Sequence, residues 1–238
     1  MELENRTVLV TGANRGIGAA LVSELLKRNV AKVYAGARRT ESLPDFADPR
    51  VIPLALDITQ QSQIQAAAKR AKDVDLLMNN AGSATYASVL ESPLEMISRD
   101  MQTNYYGTLS VIRAFVPVLE KSGNGAIVNM LTIVSLASMA VLGGYSASKA
   151  ALYSATQALR KELKNRGIRV HGVFPGPVDT DMTKDLQITK TSPVEVARAI
   201  LEGLKRGVED IYPDPMALQM SELWSKNPKE LEKQFAAM

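Results

Sequence analysis

The chain has 238 residues, 46% of them hydrophobic, and its 28 basic and 25 acidic side chains leave a net charge of +3. This length suits one large α/β domain, and so small a charge excess does not indicate a nucleic-acid partner. The lack of cysteine excludes disulfides and thiolate sites, and a single histidine excludes a histidine metal cluster, so we expect no metal. No apolar run reaches the roughly 18 residues of a membrane span, and the acidic N-terminus resembles no secretory signal, so we expect a cytoplasmic protein.

Strand-like and helix-like segments alternate along the whole chain. The predicted strands cover residues 6–11, 31–36, 50–54, 74–78, 125–131, 168–173 and 208–212. The predicted helices cover residues 16–29, 60–71, 92–120, 145–166, 192–206 and 216–236. Because strands separated by helices form right-handed crossovers, this order predicts a Rossmann-type doubly wound α/β fold, with a parallel sheet of about seven strands and helices on both faces.

The same pattern predicts one domain over residues 1–238, in which residues 215–238 form a C-terminal helical appendage. The appendage follows the last predicted strand and carries several large apolar residues. These residues need cover, either from the rest of the same subunit or from a neighbouring subunit.

The first predicted strand runs into a glycine-rich turn. Gly12, Gly16 and Gly18 have the spacing Gly-x3-Gly-x-Gly, and a helical pattern follows at once. Strand, glycine turn and helix form the context of a dinucleotide site, since a helix N-terminus offers N–H groups and a positive dipole to a pyrophosphate. We therefore predict a cofactor site here, which also includes the intervening residues Asn14, Arg15 and Ile17. A glycine-rich turn without a ligand is the alternative.

Tyr145 and Lys149 stand four residues apart, one turn along the same face of a predicted helix. A phenol loses its proton near about pH 10, and an ammonium group beside it favours the phenolate and lowers that pKa. Such a pair can exchange a proton with a carbonyl or an alcohol near neutral pH. The spacing is common on solvated helix faces, so its meaning depends on the glycine turn in the same chain.

These features resemble the short-chain dehydrogenase/reductase family. From the first strand to Asp214 the chain carries five of its motifs in order: the glycine turn, Asn79–Gly82, Asn104–Gly107, the Tyr145–Lys149 pair and Pro175–Gly176. The resemblance implies an NADP-preferring, carbonyl reductase-like enzyme in which Tyr145 is the general acid/base and Lys149 also holds the nicotinamide ribose. It implies that Asn104 bends a helix and anchors a water in the proton relay, although a helix-interior amide bonded to the backbone is the alternative role for that residue. It also implies that the protein is a homodimer or homotetramer formed through the two long helices.

The resemblance also extends the predicted cofactor site along the carboxyl ends of the strands. It implies that Asp57 contacts the adenine, although a helix cap is an alternative role for that residue. The predicted cofactor-binding set thus adds Asp57, Ile58, Asn80, Ala81, Gly82, Tyr145, Lys149, Pro175, Gly176, Val178 and Thr180 to the glycine turn.

The residues after the second predicted strand bear on the choice of cofactor. NAD sites usually place Asp or Glu there to bind the ribose diol, and this chain has no carboxylate before Glu41. Arg38 and Arg39 stand there instead, and guanidinium groups match the geometry of a 2′-phosphate. Arg15 could reach the same phosphate. We therefore predict NADP(H), with ordinary surface charges as the alternative role of these arginines.

The hydroxyl group that polarises the carbonyl departs from the family pattern. The family usually has serine 13 residues before the tyrosine, and this chain has Thr132 at that position. Threonine donates the same hydrogen bond, although its β-branch stiffens the side chain and narrows the pocket. Ser135 is the alternative if the loop shifts. We predict Thr132, because the register to Tyr145 then needs no gap.

The segments expected to border the substrate are largely apolar. They contribute Tyr86, Ile133, Val134, Met139, Val141, Leu142, Val178 and Met182, some of which could instead be core. We predict an enzyme that reversibly reduces a small apolar ketone or aldehyde with NADPH. An NADP-binding regulatory protein without turnover is the alternative, although such a protein can dispense with Tyr145 and Lys149.

Overall fold

The computed structural model describes residues 1–237, which form a seven-stranded sheet and eight α-helices. The strands are β1 (Thr7–Thr11), β2 (Lys32–Ala37), β3 (Val51–Ala55), β4 (Leu76–Asn79), β5 (Ala126–Met130), β6 (Arg169–Val173) and β7 (Asp210–Ile211). The helices are α1 (Gly16–Leu26), α2 (Gln61–Arg70), α3 (Leu94–Asp100), α4 (Thr108–Lys121), α5 (Gly143–Lys164), α6 (Pro193–Lys205), α7 (Pro215–Lys226) and α8 (Pro228–Ala236).

The sheet is parallel throughout, with the strand order β3-β2-β1-β4-β5-β6-β7. Buried apolar residues cover both of its faces: Val10 packs with α1 and α6, whereas the adjacent Leu9 packs with α2 and α4. Successive strand residues point to opposite faces, so both core layers draw on the same uninterrupted apolar strands. The predicted Rossmann-type fold is confirmed.

The predicted helix over residues 92–120 is interrupted in the structure. A π-helical segment, Met101–Gly107, joins α3 to α4. Within it, the Asn104 side chain bonds the backbone of Ser83, and a Cβ on Gly107 would lie 2.9 Å from the Ile58 carbonyl oxygen. Single π-helical turns inside α-helices are frequent at functional sites. The π-helical turn thus coincides with contacts to residues far away in the chain. Local helix propensity does not reveal such contacts.

The predicted helix over residues 216–236 is two helices, α7 and α8. Asn227 ends the first, and its side chain accepts a hydrogen bond of 3.2 Å from the Glu230 N–H. Pro228 then opens α8 at the first helical position, where a missing N–H costs nothing. The predicted strand over residues 208–212 is likewise reduced to Asp210–Ile211.

The apolar face of the appendage packs on its own chain. Met220 of α7 and Leu231 of α8 are buried in one cluster with Ile133 and Val134, which follow β5. The cover that these helices need therefore comes from the segment that also leads to Tyr145. None of the helices within residues 1–237 has the length and apolarity needed to cross a membrane.

Candidate functional site

The turn between β1 and α1 requires glycine at defined points. Gly12 has a φ of +65°, and a Cβ there would lie 2.9 Å from the Cα of Ala81. A Cβ on Gly18 would lie 2.1 Å from the Gly12 carbonyl oxygen. The close packing leaves the first N–H groups of α1 at the open end of the turn, because they have no partner within the helix. The turn therefore fits a pyrophosphate.

The end of β4 holds this turn in place. The Asn80 side chain donates hydrogen bonds of 3.0 Å to the carbonyl oxygens of both Thr11 and Gly12. The N–H groups of Asn80 and Ala81 both donate to the Thr11 hydroxyl, at 3.0 Å each. Asn14 and Ile17 are half-buried within the turn. The structure thus joins the glycine turn and the predicted Asn79–Gly82 motif into one cradle.

Gly82 connects this cradle to the predicted acid–base residues. A Cβ on Gly82 would lie 3.0 Å from Asn104 Oδ1 and 3.5 Å from Lys149 Nζ. The absence of a side chain therefore leaves room for both groups. The ends of β1, β4, β5 and β6 meet at this edge, which is where open α/β sheets bind ligands.

Tyr145 lies half-buried at the start of α5, and Lys149 is buried one turn further on. The Lys149 Nζ is 5.9 Å from the centroid of the Tyr145 ring and donates a 2.7 Å hydrogen bond to the Met130 carbonyl oxygen. The Thr132 hydroxyl lies beside the Tyr145 hydroxyl and donates to the Pro175 carbonyl oxygen at 3.3 Å. The hydroxyl groups of Tyr145 and Thr132 thus lie close together at this edge of the sheet.

The pKa of Tyr145 differs from the sequence-based expectation in direction. Burial raises the pKa of Tyr145 and the carboxylate of Asp100 raises it further, while the Thr132 hydroxyl lowers it. Burial also lowers the pKa of Lys149 to about 8, against the opposing charge of Asp100. Burial outweighs any lowering of the Tyr145 pKa, and the Lys149 ammonium group is directed at the Met130 carbonyl, so the predicted effect of Lys149 on Tyr145 stays a prediction. Tyr145 keeps its proton at neutral pH, which is the form that a proton donor needs.

Asn104 connects three segments of the site. Its Oδ1 accepts a 2.9 Å hydrogen bond from the Ser83 N–H, and its Nδ2 donates to the Ser83 carbonyl oxygen at 2.8 Å. The same Nδ2 donates to the Ser148 hydroxyl at 2.9 Å, and that hydroxyl donates to the Tyr145 carbonyl oxygen at 2.7 Å. The amide is fully buried. Its predicted role in holding a water stays a prediction.

Asp100 was not identified from the sequence, yet its carboxylate borders the site. It is fully buried, with 0% of its surface exposed, and accepts hydrogen bonds from Ser83 and Thr85. The sequence carried no distinct signal for it, because an acidic residue in a predicted helix is ordinarily exposed. Its negative charge raises the pKa of both Tyr145 and Lys149.

The predicted 2′-phosphate residues occupy different environments. Arg38 and Arg39 are exposed directly after β2. Arg15 instead pairs with Asp181 at 2.8 Å, and both side chains are 66% exposed. Arg38 and Arg39 therefore face solvent, whereas Arg15 forms an ion pair with Asp181 across the glycine turn.

The predicted adenine contacts, Asp57 and Ile58, lie between β3 and α2. The Asp57 carboxylate accepts hydrogen bonds from the N–H and the hydroxyl of Thr59, at 2.9 and 2.7 Å. These bonds form a tight turn ahead of α2, whose N-terminal cap is Gln60, so Asp57 does not cap that helix. Its predicted adenine contact stays a prediction. Ile58 is a buried core residue.

The segment after β6 closes the site on its remaining side. Pro175 is buried, and the Gly176 N–H donates to Asp214 at 2.8 Å. Val178 packs in the core with residues of the sheet and α6, which is the alternative given for the predicted substrate contacts, and its predicted cofactor contact stays a prediction. Thr180 lies against the glycine turn, where a Cβ on Gly16 would be 3.0 Å from its methyl group.

The apolar surface beside Tyr145 comes partly from α7, which the sequence did not assign to the site. Ile133 and Val134 are buried in the cluster that includes Tyr145 and Trp224. The other predicted contacts divide by exposure: Met139 and Leu142 are half-buried, whereas Tyr86, Val141 and Met182 are exposed. The apolar residues of the appendage indicated that these helices pack against something, but they did not indicate that the packing partner is the segment beside Tyr145.

A cavity of about 790 Å³ lies beside α1 and shares Arg15, Gly16 and Thr180 with the predicted cofactor site. Its lining includes Arg15, Leu26, Phe46 and Val194, and neither Tyr145 nor Lys149 contributes to it. The cavity therefore lacks the acid–base groups that gather at the strand ends, and the latter are the candidate active site.

Comparisons with known proteins agree with this fold. Residues 6–191 match the family model described as short chain dehydrogenase. The chain is 34% identical over 194 residues to a 3-oxoacyl-[acyl-carrier-protein] reductase of Vibrio cholerae, covering 78% of this chain and 79% of that protein. It is 32% identical over 241 residues to dehydrogenase/reductase SDR family member 7 of Mus musculus, covering 94% and 71%.

A solved structure of a short chain dehydrogenase matches the fold over nearly the whole chain. A short chain dehydrogenase from Burkholderia cenocepacia, solved in complex with NADP, superimposes with a TM-score of 0.94. It shares 39% sequence identity, and the alignment covers 99% of each chain. With the family model matched over most of its length, the chain belongs to the short-chain dehydrogenase/reductase family of oxidoreductases.

Proposed function

We propose that this protein is an NADPH-dependent carbonyl reductase that acts reversibly on small apolar ketones or aldehydes. The observation that carries the proposal is the placement of the Tyr145 and Thr132 hydroxyls side by side at the edge where the glycine turn opens. One hydroxyl can donate a proton and the other can hydrogen-bond the same oxygen. A carbonyl oxygen that becomes an alkoxide during reduction needs both.

The cofactor, when bound, supplies or accepts the hydride. The backbone N–H groups of the glycine turn would hold its pyrophosphate, and Lys149 its nicotinamide ribose. Tyr145 donates its proton to the developing alkoxide, and Thr132 orients and polarises the carbonyl oxygen. Asn104 holds the start of α5 through Ser148, which keeps the Tyr145 backbone in place.

The preference for NADPH rests on the residues after β2. Arg38 and Arg39 are exposed there, and no carboxylate precedes Glu41. A ribose diol lacks the negative charge that two guanidinium groups favour, whereas a 2′-phosphate supplies it. The NADP complex of the similar Burkholderia cenocepacia protein supports this assignment.

The substrate class follows from the apolar cluster around Tyr145. Ile133, Val134 and Trp224 belong to that cluster. An apolar wall beside two hydroxyl donors suits an apolar molecule with one carbonyl oxygen to orient. We also propose a homodimer or homotetramer assembled through α4 and α5.

The first test is oxidation of NADPH and NADH by the purified protein with a panel of ketones, aldehydes and diketones. We expect turnover with NADPH and a loss of at least about a hundredfold in Tyr145→Phe, because proton transfer by a positioned side chain contributes about 10²–10⁴. NADPH affinity of the variant, measured by fluorescence titration, should stay near that of the wild type, since the ring is kept.

Two outcomes would contradict the proposal. Turnover by Tyr145→Phe at the wild-type rate would remove Tyr145 from the acid–base role. Tight NADPH binding without turnover on any carbonyl would instead favour the regulatory alternative, in which the protein binds NADP and performs no reaction.

A further inference from the structure

Asp100 is a buried charged residue that the proposed reaction does not use. Its Oδ1 accepts hydrogen bonds from the hydroxyls of Ser83 and Thr85, at 2.7 and 3.2 Å. Its Oδ2 accepts a 2.9 Å bond from the Thr85 N–H. Burying a carboxylate is costly unless donors satisfy it, and here three donors from one short segment do so.

The segment that Asp100 holds is also the segment that holds Asn104. Ser83 donates its hydroxyl to Asp100, and its backbone exchanges two hydrogen bonds with the Asn104 side chain. Asn104 in turn bonds Ser148, whose hydroxyl bonds the Tyr145 backbone. One continuous set of hydrogen bonds therefore runs from the Asp100 carboxylate to the first turn of α5.

The charge of Asp100 also reaches the two acid–base side chains. It raises the pKa of Tyr145, after burial, and it raises the pKa of Lys149 against the dominant effect of burial. The other titratable groups around Tyr145 are Lys149 on the same helix and Tyr86 of the segment after β4. Asp185 faces Tyr86 from the segment after β6. Asp100 is the buried carboxylate among these groups.

We propose that Asp100 is a positioning residue, which clamps residues 83–85 against Asn104 and keeps a fixed negative charge beside Tyr145 and Lys149. The charge holds Tyr145 as a neutral phenol and Lys149 as an ammonium, the forms that reduction requires. This inference rests on the proposed function for its catalytic meaning, but its electrostatic part can be measured without any turnover.

The test is a pH titration of the Lys149 side chain by NMR of the ¹³C-lysine-labelled protein, with the signal assigned by its loss in Lys149→Met. In the wild type we expect a pKa near 8, which burial lowers from its ordinary value. In Asp100→Asn the opposing carboxylate is lost, so the pKa of Lys149 should fall by about one further unit. Neither cofactor nor substrate is needed, so a failed carbonyl screen does not affect the result.

Ser83→Ala is the matched control, because it removes one hydrogen bond to Asp100 and keeps the charge. It should leave the pKa of Lys149 near the wild-type value while loosening the segment. Asp100→Ser is a second neutral variant, whose smaller side chain leaves room for a water to accept the Thr85 N–H if Asp100→Asn does not fold. A Lys149 pKa unchanged in the neutral variants, or shifted equally in Ser83→Ala, would overturn the proposal.

The second readout is the pH profile of NADPH-dependent reduction. Because the neutral variants lower the pKa values of both Tyr145 and Lys149, the alkaline decline of kcat should move to lower pH by about one unit. The Ser83→Ala profile should keep its wild-type midpoint, even where kcat falls. A lower kcat in Asp100→Asn without any displacement of the profile would reduce Asp100 to a purely structural residue and refute its electrostatic role.

Discussion

Thr132 and Ser135 lie three residues apart after β5, but their hydroxyl groups face different partners. The Thr132 hydroxyl lies beside Tyr145, whereas the Ser135 hydroxyl accepts a 3.2 Å hydrogen bond from the Thr132 N–H. Ser135 thus closes a tight turn, in which each of the two side chains bonds the backbone of the other. We therefore propose Thr132, rather than Ser135, as the donor to the substrate oxygen.

Thr132→Ala should lower kcat by about 10²-fold or more, because one positioned donor to a developing oxyanion is worth about 3–4 kcal/mol. Thr132→Ser should retain most of the activity, since it keeps the hydroxyl. Steady-state kinetics with NADPH and the best carbonyl substrate measure both. Near-normal kcat in Thr132→Ala together with a large loss in Ser135→Ala would exchange the two roles.

The glycine turn and the segment after β6 are joined by an ion pair across the open end of the turn. Arg15 and Asp181 approach to 2.8 Å, although both are largely exposed. Exposed pairs of this kind contribute no more than about 1 kcal/mol. The pair still matters for binding, because an arginine engaged with Asp181 is not free to meet a 2′-phosphate, and Asp181 adds a negative charge nearby.

Asp181→Asn should therefore tighten NADPH binding by about two- to fivefold, the range that a weak surface pair allows. NADH lacks the 2′-phosphate, so its Kd should stay the same. Fluorescence titration of both cofactors measures the ratio. Asp179→Asn, which removes a charge from the same segment but not the partner of Arg15, is the control; an equal gain for NADH and NADPH would show that Arg15 does not contact the phosphate.

The last two helices, α7 and α8, pack into the rest of the molecule and should contribute to its stability. Leu231 is completely buried with Ile133 and Val134, in the cluster that supports Tyr145. The same helices begin at Asp214, whose buried carboxylate caps α7 through the Ala217 N–H at 2.9 Å and also bonds Gly176. We therefore propose that residues 1–238 unfold as one domain rather than as a core and a detachable tail.

Leu231→Ala should lower the free energy of unfolding by about 2–5 kcal/mol, because it leaves a cavity in a packed cluster. Leu218→Ala is the matched control within the same helices: Leu218 is 52% exposed, so its loss should change stability by no more than about 0.5 kcal/mol. Chemical denaturation followed by circular dichroism and by Trp224 fluorescence measures both. Separate transitions for the two probes would mean that the appendage is an independent unit.

Local patterns were enough to predict the fold and to name candidate site residues, whose roles stay predictions. The apolar strands, the glycine spacing and the Tyr145–Lys149 pair are short-range signals, and each lies on an element near its predicted bounds. Helix ends were less certain, because the π-helical segment at Asn104 and the break at Asn227 accompany contacts with distant residues and a local proline. The apolar surroundings of Tyr145 were only partly predicted, since Val178 lies in the core and Trp224 of α7 packs in the same cluster as Tyr145.

The sequence by itself determined the doubly wound α/β fold class, the glycine turn and the candidate acid–base pair, because these depend on neighbours in the chain and on the alternation of strands and helices. Only the tertiary structure decided the direction of the Tyr145 pKa, the presence of Asp100 beside it, the pairing of Arg15 with Asp181 and the cover of α7 and α8. Each of these features depends on residues that are far apart in the chain but close together in the folded protein. Burial and charge shift a pKa through distance in space, not through distance along the sequence.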